Sequence, residues 1–487
     1  MNGHPRRTSR PGRVLSSSAV AAVLLATTVT TAPHAAASGP WWLAKALASA
    51  VTGRQAWHHL KMISEATHAH GGNRVSGSPG YDAAAEYVTK TLTDAGYRVQ
   101  RQEFTFPDYE VVAETGTETA PVSRELHPLL AYFSVSTPET GVSAALAEPA
   151  GRATGCAPED YAGGDVTGKI VLVDAGGCAT SLKQVTAADA GAIAMVMNVN
   201  YGNPTMNIRH RVVPPETARI PTATLTRAEA EKLRADADQG EVTLHLDLRT
   251  KPVTTKGYNL IADTPSGTGT HTVVVGSHLD SVDTTPGSND NAAAAAMQLE
   301  IARQLAHHDG KVANRVRFAW WDAEEKGLVG SRYYVDQLSP RQRGETGLYL
   351  NLEMIGSPNF ARQVYNGRTP GGPAPAGSEQ ITKTINDYFA GRNLPTVGLE
   401  LDDRSDHSPF IKAGIPAGGV NAGAEALKPA EWVPLFGGIA GEMLDHCYHQ
   451  PCDTLDNVNP VIFDQFGRAI AWTTGRYAVE TLKPENR

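Results

Sequence analysis

After Lys256 short apolar runs alternate with stretches of helical spacing, and this order limits the possible folds more than any other feature of the chain. Thr272-Val-Val-Val-Gly276 reads as a strand, Ala292 to His307 as a helix, Arg315 to Trp321 as a strand, Leu328 to Leu338 as a helix and Gly347 to Leu352 as a strand. Strands that alternate with helices imply a parallel sheet with helices on both faces. Such sheets bind ligands at the carboxyl ends of their strands. The expected fold class is α/β, a mixed and mainly parallel sheet flanked by helices.

Upstream, Leu47 to Phe106 reads as helix, Gly-rich turn, helix and strand. His70-Gly-Gly-Asn-Arg-Val-Ser-Gly-Ser-Pro-Gly80 is a loop by composition, Tyr81 to Ala95 has helical spacing, and Tyr97 to Phe106 reads as a strand. Residues 107–155 lose periodicity and gain Thr, Pro, Glu and Ala, which marks a connection between domains. Residues 156–250 hold two buried-strand runs, Lys169 to Asp174 and Ala192 to Asn198, and no catalytic cluster is expected there.

The first residues read as an address. Arg6, Arg7, Arg10 and Arg13 form a positive segment, the apolar run Ala19 to Ala26 follows, and small residues end at Ala35-Ala36-Ala37 before Ser38. That order is an export signal, and its apolar run is far short of the ~20 residues needed to span a bilayer. Residues 1–37 are therefore set aside as a signal peptide cleaved near Ala37, and the mature chain is expected to be secreted. Export makes disulfides the natural fate of Cys156, Cys178, Cys447 and Cys452. Of three possible pairings, nearness in sequence favours Cys156–Cys178 and Cys447–Cys452. A chain of 487 residues, 41% hydrophobic and 19% charged, has material for two or three packed domains. Its formal charge of −8 excludes the basic excess of a nucleic-acid binder and gives no attraction to an anionic membrane surface.

Polar clusters fall mostly at the ends of the strands. They are Ser277-His278-Leu279-Asp280, Gly287-Ser-Asn-Asp290-Asn291, Asp322-Ala323-Glu324-Glu325, Glu353, and His449 between Cys447 and Cys452. Each alone has a plain explanation, such as a surface histidine, a helix N-cap or a pair of solvated acids. Five in one order do not. Two histidines and three carboxylates are a donor set for two zinc ions that share one carboxylate bridge. The carboxylates leave the metals one positive charge in excess, which a bridging hydroxide cancels, so the site tolerates burial.

The stretches Ser277-His278-Leu279-Asp280-Ser281-Val282, Asn289-Asp290-Asn291, Phe318-Ala-Trp-Trp-Asp-Ala-Glu324-Glu325, Leu350-Asn-Leu-Glu353-Met-Ile-Gly-Ser357, Arg404-Ser-Asp-His-Ser-Pro409, Cys447-Tyr448-His449 and Cys452-Asp453 resemble those of secreted bacterial di-zinc leucine aminopeptidases. Gly71-Gly-Asn-Arg74 through Thr105-Phe106 is similar to the aminopeptidase Y group, which carries an inserted protease-associated (PA) domain. The resemblance implies a peptidase domain in two pieces, 45–120 and 251–485, around a PA insert at 125–250 of mostly β or α+β structure. It implies one zinc on His278 and Glu353, the other on Glu325 and His449, and Asp290 as the bridge. Asp280 is implied to orient His278, as metal-bound imidazoles require, and Glu324 to act as general base. Tyr448 would donate to the tetrahedral oxyanion, and the Asp290–Asn291 peptide would be cis. Arg404 would contact substrate, its alternative being an ion pair with Asp402, Asp403 or Asp406.

Two departures from the resemblance matter. Glu353 stands where these aminopeptidases carry Asp, which keeps open a carboxypeptidase or dipeptidase of the same fold. Asp403 stands where close relatives have Gly, which suggests a narrower pocket or a preference for a basic side chain. A glutaminyl cyclase shares the fold class but uses one zinc and no hydrolysis, and a metal-dead module presenting its PA domain to partners is the rival from another class. The expected partners are peptide substrates, with neither nucleic acid nor membrane, and a monomer is expected. The expected cofactor is zinc, two ions per chain; calcium stays open, with no EF-hand spacing to support it. The PA insert reads as a lid or substrate gate, with a purely structural spacer as the alternative.

Overall fold

The computed structural model describes residues 41–212 and 215–481, so the predicted signal peptide lies outside the described residues. Three helices precede the sheet, the short Trp42–Ala50 and two longer ones. α1 (Gly53–Ala69) starts at Thr52, whose hydroxyl accepts from Gln55 N, and α2 (Pro79–Asp94) starts at Ser78, which caps Tyr81 N just ahead of a proline suited to a first turn. The chain then enters β1 (Arg98–Ala120), which pairs antiparallel with β2 (Thr243–Asp263) from Arg98↔Asp263 to Ala120↔Thr243.

The catalytic part of the sheet is parallel. β3 (Thr268–His278), β4 (Asn314–Trp321), β5 (Thr346–Glu353) and β6 (Ala417–Asn421) lie in the order β6-β5-β3-β4, and β2 closes on β4 antiparallel. Val273, Val274 and Val275 are buried, as strands covered on both faces require. The registers Trp321↔His278 and Glu353↔Asn421 set the carboxyl ends side by side. α3 (Ala293–Ala306) is buried over most of its surface, and its alanine run lets it lie close to the sheet. α4 (Pro460–Tyr477) packs against α1 and α3.

The segment between β1 and β2 builds its own small sheet. Val142–Ala147 pairs with β2, and Ile170–Asp174, Ala194–Val199 and Thr222–Thr226 continue outward in parallel. The helices Thr180–Asp189 and Arg227–Ala237 accompany these strands, and Leu172, Val196, Leu225 and Leu244 share one core. Because β2 belongs to both halves, all these strands form one 14-stranded hydrogen-bonded sheet.

The expected α/β class is thus observed, with one correction to the chain path. Of residues 107–155, expected as a connection between domains, 107–120 are the outer half of β1 and Val142–Ala147 is a strand paired with β2. In that half of β1 the ribbon is partly exposed on both faces, so no apolar alternation marks it. Its β-branched Val111, Val112, Thr115 and Thr117 suit a strand nonetheless. Both favoured disulfides form, Cys156–Cys178 with Cα atoms 6.0 Å apart and Cys447–Cys452 with 5.3 Å. Among the described residues no helix is long and apolar enough to cross a membrane.

Candidate active site

The five donor residues meet at the carboxyl edge of the parallel strands. His278 Nε2 lies 3.2 Å from Asp290 Oδ1 and 3.5 Å from Glu353 Oε1. His449 Nε2 lies 3.2 Å from Asp290 Oδ2 and 3.2 Å from Glu325 Oε2. Asp290 therefore offers one oxygen to each imidazole. All five residues are buried or nearly so and line a cleft of about 480 Å³ together with Glu324, Arg404 and Tyr448.

Local backbone explains the convergence. The chain turns through left-handed residues at Ala323, just before Glu324, at Met354, just after Glu353, and at His449 itself. Such conformations are costly for side-chain-bearing residues and persist where the surroundings over-determine them. The Asp290–Asn291 peptide is cis, as the resemblance implied.

Asn289 and Asn291 do not act as helix caps. Asn289 donates to Asp445 at 2.6 Å and Ser357 at 3.1 Å and accepts from Gly356 N at 2.8 Å. Asn291 accepts from Met354 N at 3.0 Å and donates to Leu352 O at 3.1 Å. These amides brace the Asp290 turn against the end of β5. Asp453 accepts from the backbone of Asn289 at 2.8 Å and of Asp290 at 3.0 Å, which pins the bridge from the other side.

Asp280 has a broader part than orienting His278. The Nδ1 of His278 is 3.1 Å from the Asp280 carbonyl and 3.5 Å from its carboxylate. That carboxylate also accepts from Glu324 N at 3.1 Å and Glu325 N at 3.2 Å. One side chain thus ties the first histidine to the acidic pair leaving β4.

Arg74, within the Gly-rich loop, is fully buried and donates to the carbonyls of Leu279, Pro286 and Gly287 at 2.7, 2.5 and 2.7 Å. It shapes the loop between β3 and the Asp290 turn. Composition alone showed only a loop there; a fixed cation among glycines was the signal.

Glu353 is held by a buried relay. Trp321 Nε1 donates to Tyr349 OH at 2.9 Å, Tyr349 donates to Asn351 at 2.9 Å, and Asn351 Nδ2 donates to Ser405 Oγ at 2.8 Å. An amide donor on Ser405 directs the hydroxyl proton to Glu353 Oε2. That leaves Oε1 toward His278. Each carboxylate oxygen accepts two hydrogen bonds, so Oε2 keeps a second acceptor site.

The electrostatics are those of a site made for cations. Burial opposes charge on His449, but Glu325 and Asp290 outweigh it and the imidazole is pushed up to about 10. His278 goes up in the same way, against burial, through Glu353 and Glu324. Burial pushes Glu324 well above the usual carboxylate range, assisted by Glu325, Asp406 and Glu353 and opposed by His278. Burial also keeps the Tyr448 phenol protonated, against the pull of Arg404.

The donor chemistry fits a metal. His449 Nε2 and Glu325 Oε1 are buried without a hydrogen-bond partner among the described residues. Two imidazole nitrogens face three carboxylates with no fixed donor between them, which is the arrangement a divalent cation satisfies.

Arg404 and Asp403 have other partners than those expected. Arg404 pairs with Glu425 through two contacts of 2.6 and 3.1 Å, so the ion pair weighed as the alternative to a substrate contact forms with a different acid than Asp402, Asp403 or Asp406. Asp403 pairs with Lys412 at 2.8 Å and accepts from Ser408 at 2.6 Å, so its charge is already answered on the side of the following helix.

Residues 156–250, expected to be without catalytic interest, reach the cleft. Tyr201, Ile208, Arg209, His210 and Arg211 line it, and Met206 and Ile208 pack with Met443 and Tyr448. The Gln450 amide donates to Asn207 O at 2.7 Å. No local motif marks this loop, and only tertiary packing brings it to the donors.

The fold and donor set define a metallohydrolase with its site at the carboxyl edge of an α/β sheet. The chain belongs to peptidase family M28: residues 259–474 match that family and residues 142–233 match the PA domain. It is 37% identical over 434 residues to a Mycobacterium tuberculosis protein named "Probable lipoprotein aminopeptidase LpqL", covering 88% of this chain and 85% of the relative. It is 35% identical over 433 residues to an aminopeptidase of Pseudomonas aeruginosa, covering 87% and 80% respectively. Among solved structures, a zinc aminopeptidase from Bacillus subtilis superposes with a TM-score of 0.67 at 23% identity, covering 87% of this chain and 94% of that one. The aminopeptidase from Aneurinibacillus sp. strain AM-1 gives 0.66 at 24% identity, covering 91% and 98%.

Proposed function

We propose that this protein is an exported zinc aminopeptidase that removes N-terminal residues from peptides and works with two metal ions. The observation that carries this reading is Asp290, with one carboxylate oxygen 3.2 Å from each of two imidazoles. A single-metal site has no use for that symmetry. His278 and Glu353 would hold one zinc, Glu325 and His449 the other, with Asp290 between them. Bound zinc supplies Lewis acidity toward the scissile carbonyl and the attacking water.

The chain's own residues do the rest. Glu324, raised by burial and by its acidic neighbours, takes a proton from the attacking water and returns it to the leaving amine. Tyr448, protonated and stacked on His449 at 3.9 Å, donates to the developing oxyanion. Glu353, steadied by Ser405, receives the substrate's ammonium on its remaining acceptor site. Arg404 keeps a positioning part through Glu425 and the neighbouring Tyr448. We take residues 45–120 and 251–485 as the peptidase domain and 125–250 as the insert. Two disulfides and the export signal support an oxidising destination outside the cytoplasm.

The test pairs zinc content with two substrates. The purified enzyme should hold two zinc ions, cleave leucyl arylamide and spare its N-acetylated form. Cleavage of N-acetyl peptides, with C-terminal amides spared, would overturn this in favour of a carboxypeptidase. His449→Ala should reduce zinc to about one ion per chain by elemental analysis; retention of both would remove His449 from the donor set.

A further inference from the structure

Charged groups in the cleft follow one another as a chain of neighbours. Glu353 Oε1 is 3.5 Å from His278, Asp290 links His278 to His449 at 3.2 Å on each side, Glu325 follows at 3.2 Å, and Arg211 Nη2 lies 3.9 Å beyond Glu325 Oε2. Carboxylates therefore mark one end and a guanidinium the other. Asp402 also lines the cleft.

Three arginines line this cleft, and two are engaged elsewhere. Arg404 is bidentate on Glu425. Arg209 pairs with Glu114, donates to Leu130 O at 2.7 Å and reaches Asp283 at 3.3 Å. Arg211 differs: among the described residues it makes no hydrogen bond to a carboxylate, and its side chain is 34% exposed toward the cleft. Its one ionic neighbour within 4 Å is Glu325, a member of the donor set, whose charge is spent on a metal once one is held.

The turn that presents Arg211 is pinned. Tyr132 N donates to His210 O at 2.7 Å and Val212 N to Tyr132 O at 2.8 Å. The His210 ring sits between Thr180 at 3.1 Å and Tyr201 at 3.0 Å. The guanidinium is thus offered on fixed backbone, so binding has to order the side chain but not the turn that carries it.

We propose that Arg211, supplied by the inserted domain, binds a carboxylate on the leaving-group side of the scissile bond, so that the enzyme selects short peptides with a free C-terminus or peptides with an acidic second residue. This rests on the aminopeptidase reading, in which the ammonium lies at Glu353 and the leaving group extends toward Glu325 and beyond. A guanidinium at that end, whose one ionic neighbour within 4 Å belongs to the donor set, matches a carboxylate in charge and in its two-pronged donor geometry.

The test compares kcat/KM for Leu-Gly, Leu-Gly-amide and Leu-Glu-amide in the wild type and in Arg211→Ala, with zinc content measured on both. The wild type should favour the two carboxylate-bearing substrates over Leu-Gly-amide, and the variant should shrink that preference by roughly ten- to hundredfold. A loss confined to Leu-Gly assigns the terminal carboxylate, and one confined to Leu-Glu-amide assigns the side chain. Arg211→Lys should restore part of the preference, since charge survives and the fork does not. Equal losses on all three substrates, or loss of zinc, overturn the proposal, because Arg211 would then act only through Glu325. Binding of a Leu-Gly analogue with a reduced CH2–NH link, against its C-terminal amide, gives the same comparison without turnover. Failure of every free-amine substrate would count against the aminopeptidase reading, whereas equal binding of these two analogues would count against Arg211.

Discussion

The catalytic sheet and the inserted domain both border the cleft, yet they supply it in different ways. His278 and Glu353 are the last residues of β3 and β5, and Glu325 follows β4 by four positions. Behind them Asp280, Asn289, Asn291, Asp453 and Ser405 fix backbone or carboxylate through buried hydrogen bonds. The insert instead reaches the cleft by the loop after Ala194–Val199 and contributes aromatic rings, an imidazole and Arg211. Its contacts to the catalytic part combine apolar packing around Met206 and Ile208 with the Gln450 amide and with ion pairs from Arg209 to Asp283 and from Arg211 to Glu325. Metal chemistry tolerates little displacement and is suited to strand ends; in the reading proposed above, recognition of varied substrates falls to a loop.

Substitutions sharpen this contrast. The largest effect belongs to the sheet: Glu324→Gln should cut turnover by about 10²–10⁴-fold with zinc content intact, and near-normal turnover would disprove the base assignment. Next comes Ser405→Ala. It removes the proton donor of Glu353 Oε2, and roughly a ten- to hundredfold loss of zinc affinity or activity is expected. Metal titration and kinetics that match the wild type would show the relay to be idle.

On the insert side, Arg209→Met takes the cation from Glu114, which keeps only the Leu130 N–H, and leaves the Leu130 carbonyl without this donor, at about 1–3 kcal/mol of stability. Thermal melting should register this as a fall of a few degrees, with zinc content preserved. Zinc loss in this variant would break the division between chemistry and recognition. The smallest change is Tyr201→Phe, which deletes one hydrogen bond to His210, at about 1 kcal/mol. It should raise KM severalfold and leave kcat nearly unmoved; a large fall in kcat would place the insert inside the chemistry.

Much of the site was legible because its signals are local. Apolar runs mark β3, β4 and β5 whatever surrounds them, and a histidine or acid at the end of each is a short-range pattern. The pairing of the cysteines followed from nearness for the same reason. The outer half of β1 was not legible, since a ribbon exposed on both faces carries no alternation. Glu425 could not be found as the partner of Arg404, because nearby Asp402, Asp403 and Asp406 offered closer acids in sequence.

The amino-acid order by itself determined the strand-helix alternation and pointed to the five residues that meet at the strand ends and to the neighbouring Glu324, since each signal depends on residues a few positions apart. The tertiary structure decided what those donors face. Arg74 meets Leu279 across 205 positions, Asp453 meets Asp290 across 163, and Arg211 meets Glu325 only because β2 joins the two halves in one sheet. Contacts between distant segments depend on how whole layers pack, and no short window of sequence carries that information.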